Sequence, residues 1–163
     1  MGLLKIISKS EADKDYLKNG TEYITRNSET IYYGGVNICP ERAYKQMRRV
    51  KKYYGKTSGN QLIHFIVCFN SDVQDIGTAV DYAYRIAEYY KSKYQILFGI
   101  HSEVRSNNSG GVKSLIHVHF VVNTVSFKDG RMFAEGKGKI KEFAEYISEV
   151  TGDERWKAMY SVE

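Results

Sequence analysis

Apolar and polar positions along this chain repeat with two periods, and the switching between them gives an order of elements. Leu3 to Ser8 predicts a short strand. Asp15 to Arg26 predicts a helix, with Tyr16, Tyr23 and Ile24 among its apolar positions. Glu29 to Asn37 places Ile31, Tyr32 and Tyr33 before Gly34-Gly35, a short strand closed by a turn. Pro40 stands at a first helical position with Cys39 as N-cap, and that helix runs to Tyr54 and stops at Gly55. After the loop KTSGNQ, Leu62 to Asn70 (LIHFIVCFN) is nearly all apolar and β-prone, which predicts a buried central strand. From about Asp72 to Lys93, Ile76, Ala79, Val80, Ala83, Ile86, Ala87 and Tyr90 recur at steps of three and four, so one helical face is apolar. Gln95 to Val104 and Ser114 to Val125 are two more strands, joined by the SNNSGG loop within Arg105 to Lys113 as a hairpin. Lys128-Asp129-Gly130-Arg131 marks a turn. Phe143, Ala144, Ile147 and Val150 give a last helix, with Gly152 as its stop.

The order β, α, β, α, β, α, β, β, α implies an α+β domain: a central, mostly antiparallel sheet of about five strands flanked by helices. With 163 residues and no internal repeat or linker, residues 1–163 read as a single domain. The sequence stops soon after its last helix, so it reads as the amino-terminal part of something longer.

Composition narrows the class. Hydrophobic residues are 42% and aromatics 13%, with 14 tyrosines, which excludes a disordered chain. No apolar run approaches the length of a membrane span, and MGLLKIISKSEADKD lacks a signal peptide's apolar core. Two cysteines, Cys39 and Cys68, are too few for a disulfide framework or a cysteine zinc site, so a reducing, cytoplasmic setting is expected. The net charge of +5 suits a polyanionic partner. Arg48, Arg49, Lys51 and Lys52 form one basic run beside Tyr53 and Tyr54, and Lys137, Lys139 and Lys141 form another. Such runs are commonly solvated helix faces, but paired with many aromatic rings they point toward nucleic acid, whose bases stack on those rings.

The chemistry gathers on the hairpin. Only four histidines occur, and two of them stand one residue apart in HVHFVVN. Strand alternation puts His117, His119, Val121 and Asn123 on one face, with neighbouring same-face Cα atoms roughly 6–7 Å apart. His101, on the preceding strand, supplies a third imidazole, and three neutral histidines can hold one divalent ion with positions left open for catalysis. The plainer alternative is a set of half-buried sheet histidines. A polar pair in the middle of an apolar strand, however, needs a partner. His64 reads either as a core histidine bonded to a neighbour or as a support beside the ion. Glu103 shares a strand face with His101 and could orient an imidazole or relay a proton, or be a surface carboxylate. Asn123 is a candidate phosphate contact.

GIHSEV, a loop, and LIHVHFVVNTVSFKDGRMF resemble the metal-binding core of the mobilisation relaxases, the MobA/VirD2-like relaxase family of the HUH endonuclease superfamily, where U is hydrophobic. The motif is His117-Val118-His119, and His101 matches the upstream histidine. The family often has aspartate where this chain has Glu103, and often a shorter spacer than SNNSGGVKS. TEYITRNSET resembles the family's amino-terminal segment carrying the nucleophile, which would be Tyr23. GGVNICPERAYKQM and LIHFIVCFN resemble the helix and central strand that follow, so the likeness spans roughly residues 3–135.

The resemblance implies nicking and rejoining of one DNA strand at an origin of transfer, for conjugation or plasmid mobilisation. Tyr23 attacks the scissile phosphate, leaving a 5′-phosphotyrosine and a free 3′-OH. A divalent ion on His101, His117 and His119 is implied: Mn²⁺ or Mg²⁺ first, with Zn²⁺, Ni²⁺ or Co²⁺ compatible with the same ligands. Arg48, Arg49, Lys51 and Lys52 become backbone contacts, joined by the lysines at 137–141. Partners would be single-stranded DNA, accessory DNA-binding proteins and a secretion system's coupling protein, in a bacterial cytoplasm. Three other readings stay open: a rolling-circle replication initiator with Tyr146 as nucleophile, a non-cleaving single-stranded DNA-binding module, and a metal-dependent hydrolase that uses water.

Overall fold

In the computed structural model, residues 2–8, 15–69, 73, 75–106, 108–134, 136–153 and 156–162 are described. The strands are β1 (Gly2–Ser8), β2 (Thr30–Val36), β3 (Leu62–Cys68), β4 (Ile96–Ser106), β5 (Val112–Asn123) and β6 (Trp156–Val162). The helices are α1 (Tyr16–Arg26), α2 (Ala43–Tyr53), α3 (Ile76–Ala87) and α4 (Lys137–Thr151). The sheet order is β2-β4-β5-β3-β1-β6. The first five strands in that order pair antiparallel throughout, as the sequence predicts, and β6 adds a sixth that runs parallel to β1.

Helices cover both faces. Below the sheet, α3 and α4 bury Ala83, Ile86, Phe143 and Ile147 against Phe65, Phe98, Val118 and Phe120. Above it, Leu17 and Ile24 of α1 and Ala43 and Met47 of α2 pack on Leu62, Leu97 and Val121. Neighbouring strand residues therefore serve opposite layers, because alternate side chains point to opposite faces. The second layer is thinner, and the histidines of β4 and β5 lie beside its small apolar cluster.

Several boundaries differ from expectation. The Pro40 helix begins as a single 3₁₀ turn, Pro40–Arg42, before α2. Cys39 gives it no side-chain cap; its sulfur donates instead to Glu41 Oε2 at 3.3 Å. The long helix expected from Asp72 is shorter: Asp75 caps α3 by accepting the Thr78 N–H at 2.8 Å, and a 3₁₀ turn at Glu88–Tyr90 ends it. The expected start at Asp72 lies outside the described residues. The expected loop at 105–113 is shorter, since β4 and β5 stay paired out to Ser106 and Val112. Gly152 ends α4 in the left-handed region, with φ at 70°, and its N–H returns to the Ser148 carbonyl at 2.8 Å. Among the described residues, no helix is long and apolar enough to cross a membrane.

Candidate metal centre and nucleophile

The site lies where α1 crosses the β4–β5 hairpin, and a glycine permits the crossing. A Cβ at Gly99 would stand 2.6 Å from the Ile24 carbonyl oxygen. The last turn of α1 thus rests directly on the strand backbone, and the helix is lowered onto the histidine face. A strand-interior glycine signals such an approach.

The hairpin register then sets the imidazoles. His101 faces His117 directly, and His119 faces Gly99. One ligand atom from each of His101, His117 and His119 lies within 4.8 Å of the others, a spacing that can close around one ion. His101 is fully buried and His119 nearly so. The Nε2 of His101 lies 3.0 Å from Thr30 Oγ1. That hydroxyl gives its one proton to the Ile24 carbonyl at 3.0 Å, so it accepts from His101 Nε2–H. His101 Nδ1 is consequently a bare lone pair, and it is buried with no hydrogen-bond partner. An orphaned buried acceptor inside a histidine cluster fits a cation.

His119 uses its Nδ1 on His64 Nε2, at 2.7 Å, which leaves Nε2 for the cluster. Burial first, and then neighbouring imidazoles, push His101 to about 4 and His119 to about 2. His64 also falls to about 4, through burial and then the charges of His101 and Lys5. All three are therefore neutral at physiological pH, the form that binds a metal.

Tyr23 projects from α1 over this group. Its ring centroid is 5.3 Å from that of His119, 5.5 Å from His101 and 6.3 Å from His64. The ring is 41% exposed, so its hydroxyl remains open to a substrate. Partial burial, and then the Glu29 carboxylate, raise its pKa above the usual tyrosine value, so an attacking oxygen here must be activated.

Other expected residues divide. Glu103 is half-buried on the His101 face opposite Leu115, outside the converging trio. Arg48, Arg49 and Lys52 are exposed on α2. Lys51 is not available to DNA: it is 1% exposed, and its Nζ donates to the Gln61 carbonyl at 2.6 Å and to Thr124 Oγ1 at 3.1 Å. Burial lowers its pKa to about 7. Asn123 is likewise withdrawn. Fully buried, it donates to the Met47 carbonyl and Gln95 Oε1 and accepts the Val125 N–H, which makes it a latch under α2. Lys139 and Lys141 sit on α4, in the opposite layer, paired with Glu142 and Glu145. Tyr146 is also in that layer, where it packs on Tyr89 and donates to the Arg85 carbonyl at 2.5 Å, so the whole sheet separates it from the histidines.

Sequence reasoning missed Thr30 and Gly99, and also the cations of a groove between α1 and the Pro40–Arg49 segment. This groove, about 650 Å³, is lined by Lys18, Arg26, Arg42, Lys45 and Arg49 with Glu22 and Glu41. Next to it, a shallower one of about 480 Å³ runs over Tyr44, Arg48, Arg49 and Lys52.

Residues 16–156 match the family described as relaxase, MobA/VirD2-like, nuclease domain. A solved structure described as the molecular basis of vancomycin resistance transfer in Staphylococcus aureus is similar in fold. The match covers 100% of this chain and 97% of that one, with a TM-score of 0.55 and 12% identity. No curated protein matches the sequence.

Proposed function

Because the chain belongs to the MobA/VirD2-like relaxases through their nuclease domain, we propose that it nicks and rejoins one DNA strand at an origin of transfer by transesterification onto Tyr23. The observation that carries this reading is the Tyr23 ring, 5.3–5.5 Å from the rings of two of three converging histidines. Tyr23 Oη attacks the scissile phosphorus. The new O–P bond forms as the bond to the 3′ oxygen breaks, giving a 5′-phosphotyrosine and a 3′-OH. His101, His117 and His119 would hold a divalent ion, Mn²⁺ or Mg²⁺ by preference, which would polarise the phosphate and offset the charge that builds on its oxygens. The tyrosine proton leaves to solvent, with Glu103 on the His101 strand face as its relay. The 3′-OH reverses the step to reseal the strand.

The bound strand follows the two grooves. Lys45 and Arg49 line both, with Arg48 and Lys52 on one side and Lys18, Arg26 and Arg42 on the other, and these cations neutralise backbone phosphates. Accessory DNA-binding proteins and a secretion system's coupling protein complete the transfer apparatus in a bacterial cytoplasm.

The test is a denaturing gel with single-stranded origin DNA and Mn²⁺. A shortened strand and a covalent protein adduct that maps to Tyr23 are expected, and Tyr23→Phe should abolish both. Shortening without an adduct would mean that water is the nucleophile. Binding without shortening would leave only a DNA-holding module. An adduct on Tyr146 would restore the replication-initiator reading.

A further inference from the structure

We propose that His64 is a positioning residue. It accepts the His119 Nδ1 proton and so holds His119 in the tautomer that turns the Nε2 lone pair toward His101 and His117. All four histidines of the chain then act as one unit, three as ligands and one behind them. The proposal deepens the metal reading of the trio and rests on it for its effect on affinity. The tautomer itself stands apart from that reading.

The geometry argues for this direction of donation. His64 Nε2 and His119 Nδ1 are 2.7 Å apart, so one carries a proton and the other a lone pair. If His64 donated, His119 would bear its proton on Nε2, inside a cluster whose ligand atoms lie within 4.8 Å of one another. His101 Nδ1 has no hydrogen-bond partner, so an Nε2 proton on His119 would enter the cluster without an acceptor on His101 to receive it. Donation by His119 keeps the 2.7 Å bond to His64 and turns the Nε2 lone pair into the same cluster as the bare Nδ1 of His101, an arrangement suited to a cation. The neighbours differ in what sets them: a hydroxyl tied to the Ile24 carbonyl fixes His101, and an imidazole fixes His119. Each outer contact selects the nitrogen presented to the ion, and opposite nitrogens result: Nδ1 from His101 and Nε2 from His119.

Two measurements test it. With only four histidines, ¹⁵N-labelled imidazole spectra of the metal-free protein resolve each tautomer. Protonated Nδ1 on His119 and protonated Nε2 on His101 are expected; a protonated Nε2 on His119 overturns the proposal. Calorimetric titration with Mn²⁺ then compares wild type with His64→Leu, which fills similar space without an acceptor, and His64→Gln, whose amide oxygen can accept. The Leu variant should bind about 10–100-fold more weakly, and the Gln variant within a few-fold of wild type. Melting in EDTA checks that both fold. Equal affinity of the Leu and Gln variants, at either level, removes the acceptor role. If wild type itself binds no Mn²⁺, the ligand reading of the trio falls, and the tautomer spectrum still decides the role of His64.

Discussion

The two faces of this sheet are built from the same strands by alternate residues, yet they are made of different material. The face toward α3 and α4 is aromatic and dry, with Phe65, Phe98, Phe120 and Phe143 nearly fully buried. Tyr89 and Tyr90 stack into the same cluster. The face toward α1 and α2 carries a small aliphatic core and, beside it, the four histidines. The difference shows where stability and chemistry are kept. A large apolar layer supplies folding free energy, which lets the other face bury imidazoles that cost free energy until something binds them.

The sharpest way to test this division uses two adjacent residues. Phe120→Ala should destabilise the fold by about 3–5 kcal/mol through lost burial and a cavity. His119→Ala should leave metal-free stability within about 1 kcal/mol and abolish the Mn²⁺-dependent rise in melting temperature. Denaturant melts with and without Mn²⁺ separate the two; equal losses in both would mean that the faces are not specialised.

Acidification acts on the buried imidazoles of the histidine face. His101 and His64 fall from an ordinary 6.5 to about 4 in the folded protein. Between those values the unfolded chain binds more protons, so stability is complete above pH 6.5 and is lost as pH falls toward 4. His101, fully buried, contributes on the order of 3 kcal/mol to this loss. Urea melts of metal-free protein at pH 7 and pH 4.5 should show it, and His101→Leu should flatten the slope.

A smaller effect is expected at the joint between helix and sheet. Gly99→Ala forces the Ile24 carbonyl away and should cost about 1–3 kcal/mol. Nicking should fall further than DNA affinity, because Tyr23 is displaced from the histidines while the exposed cations of α2 keep their places. Single-turnover rates set beside binding curves check this. The smallest change is expected from Arg49→Ala. Affinity should fall less than tenfold, with the slope of log affinity against log salt shallower by about 1, and metal affinity should be unchanged.

The sequence made the histidine trio readable because two facts suffice: side chains alternate along a strand, and a hairpin sets neighbouring strands in register. Both are local. Lys51 and Asn123 were misread for the opposite reason. Each is polar by type, and only the path of α2 across the ends of β3 and β5 buries it against Gln61, Thr124, Met47 and Gln95. The lysines of α4 look basic in sequence, but they lie in the layer away from the site. The strand β6 was missed because its partner is β1, at the far end of the chain. Tyr23 stood out only through family likeness, since Tyr16 shares its helix, Tyr32 and Tyr33 follow on β2, and periodicity does not rank them.

Thr30 joins two parts that a cut-and-seal enzyme must keep aligned. Its single hydroxyl holds both the carbonyl next to Tyr23 and the ring of His101. In the proposed reaction the strand is resealed by running the same step backwards, so attacking and departing oxygens must meet one geometry from opposite sides. With the tyrosine's helix and the first imidazole tied to the same atom, a tilt of the helix carries the cradle with it. The alignment used to open the strand is then the alignment waiting to close it.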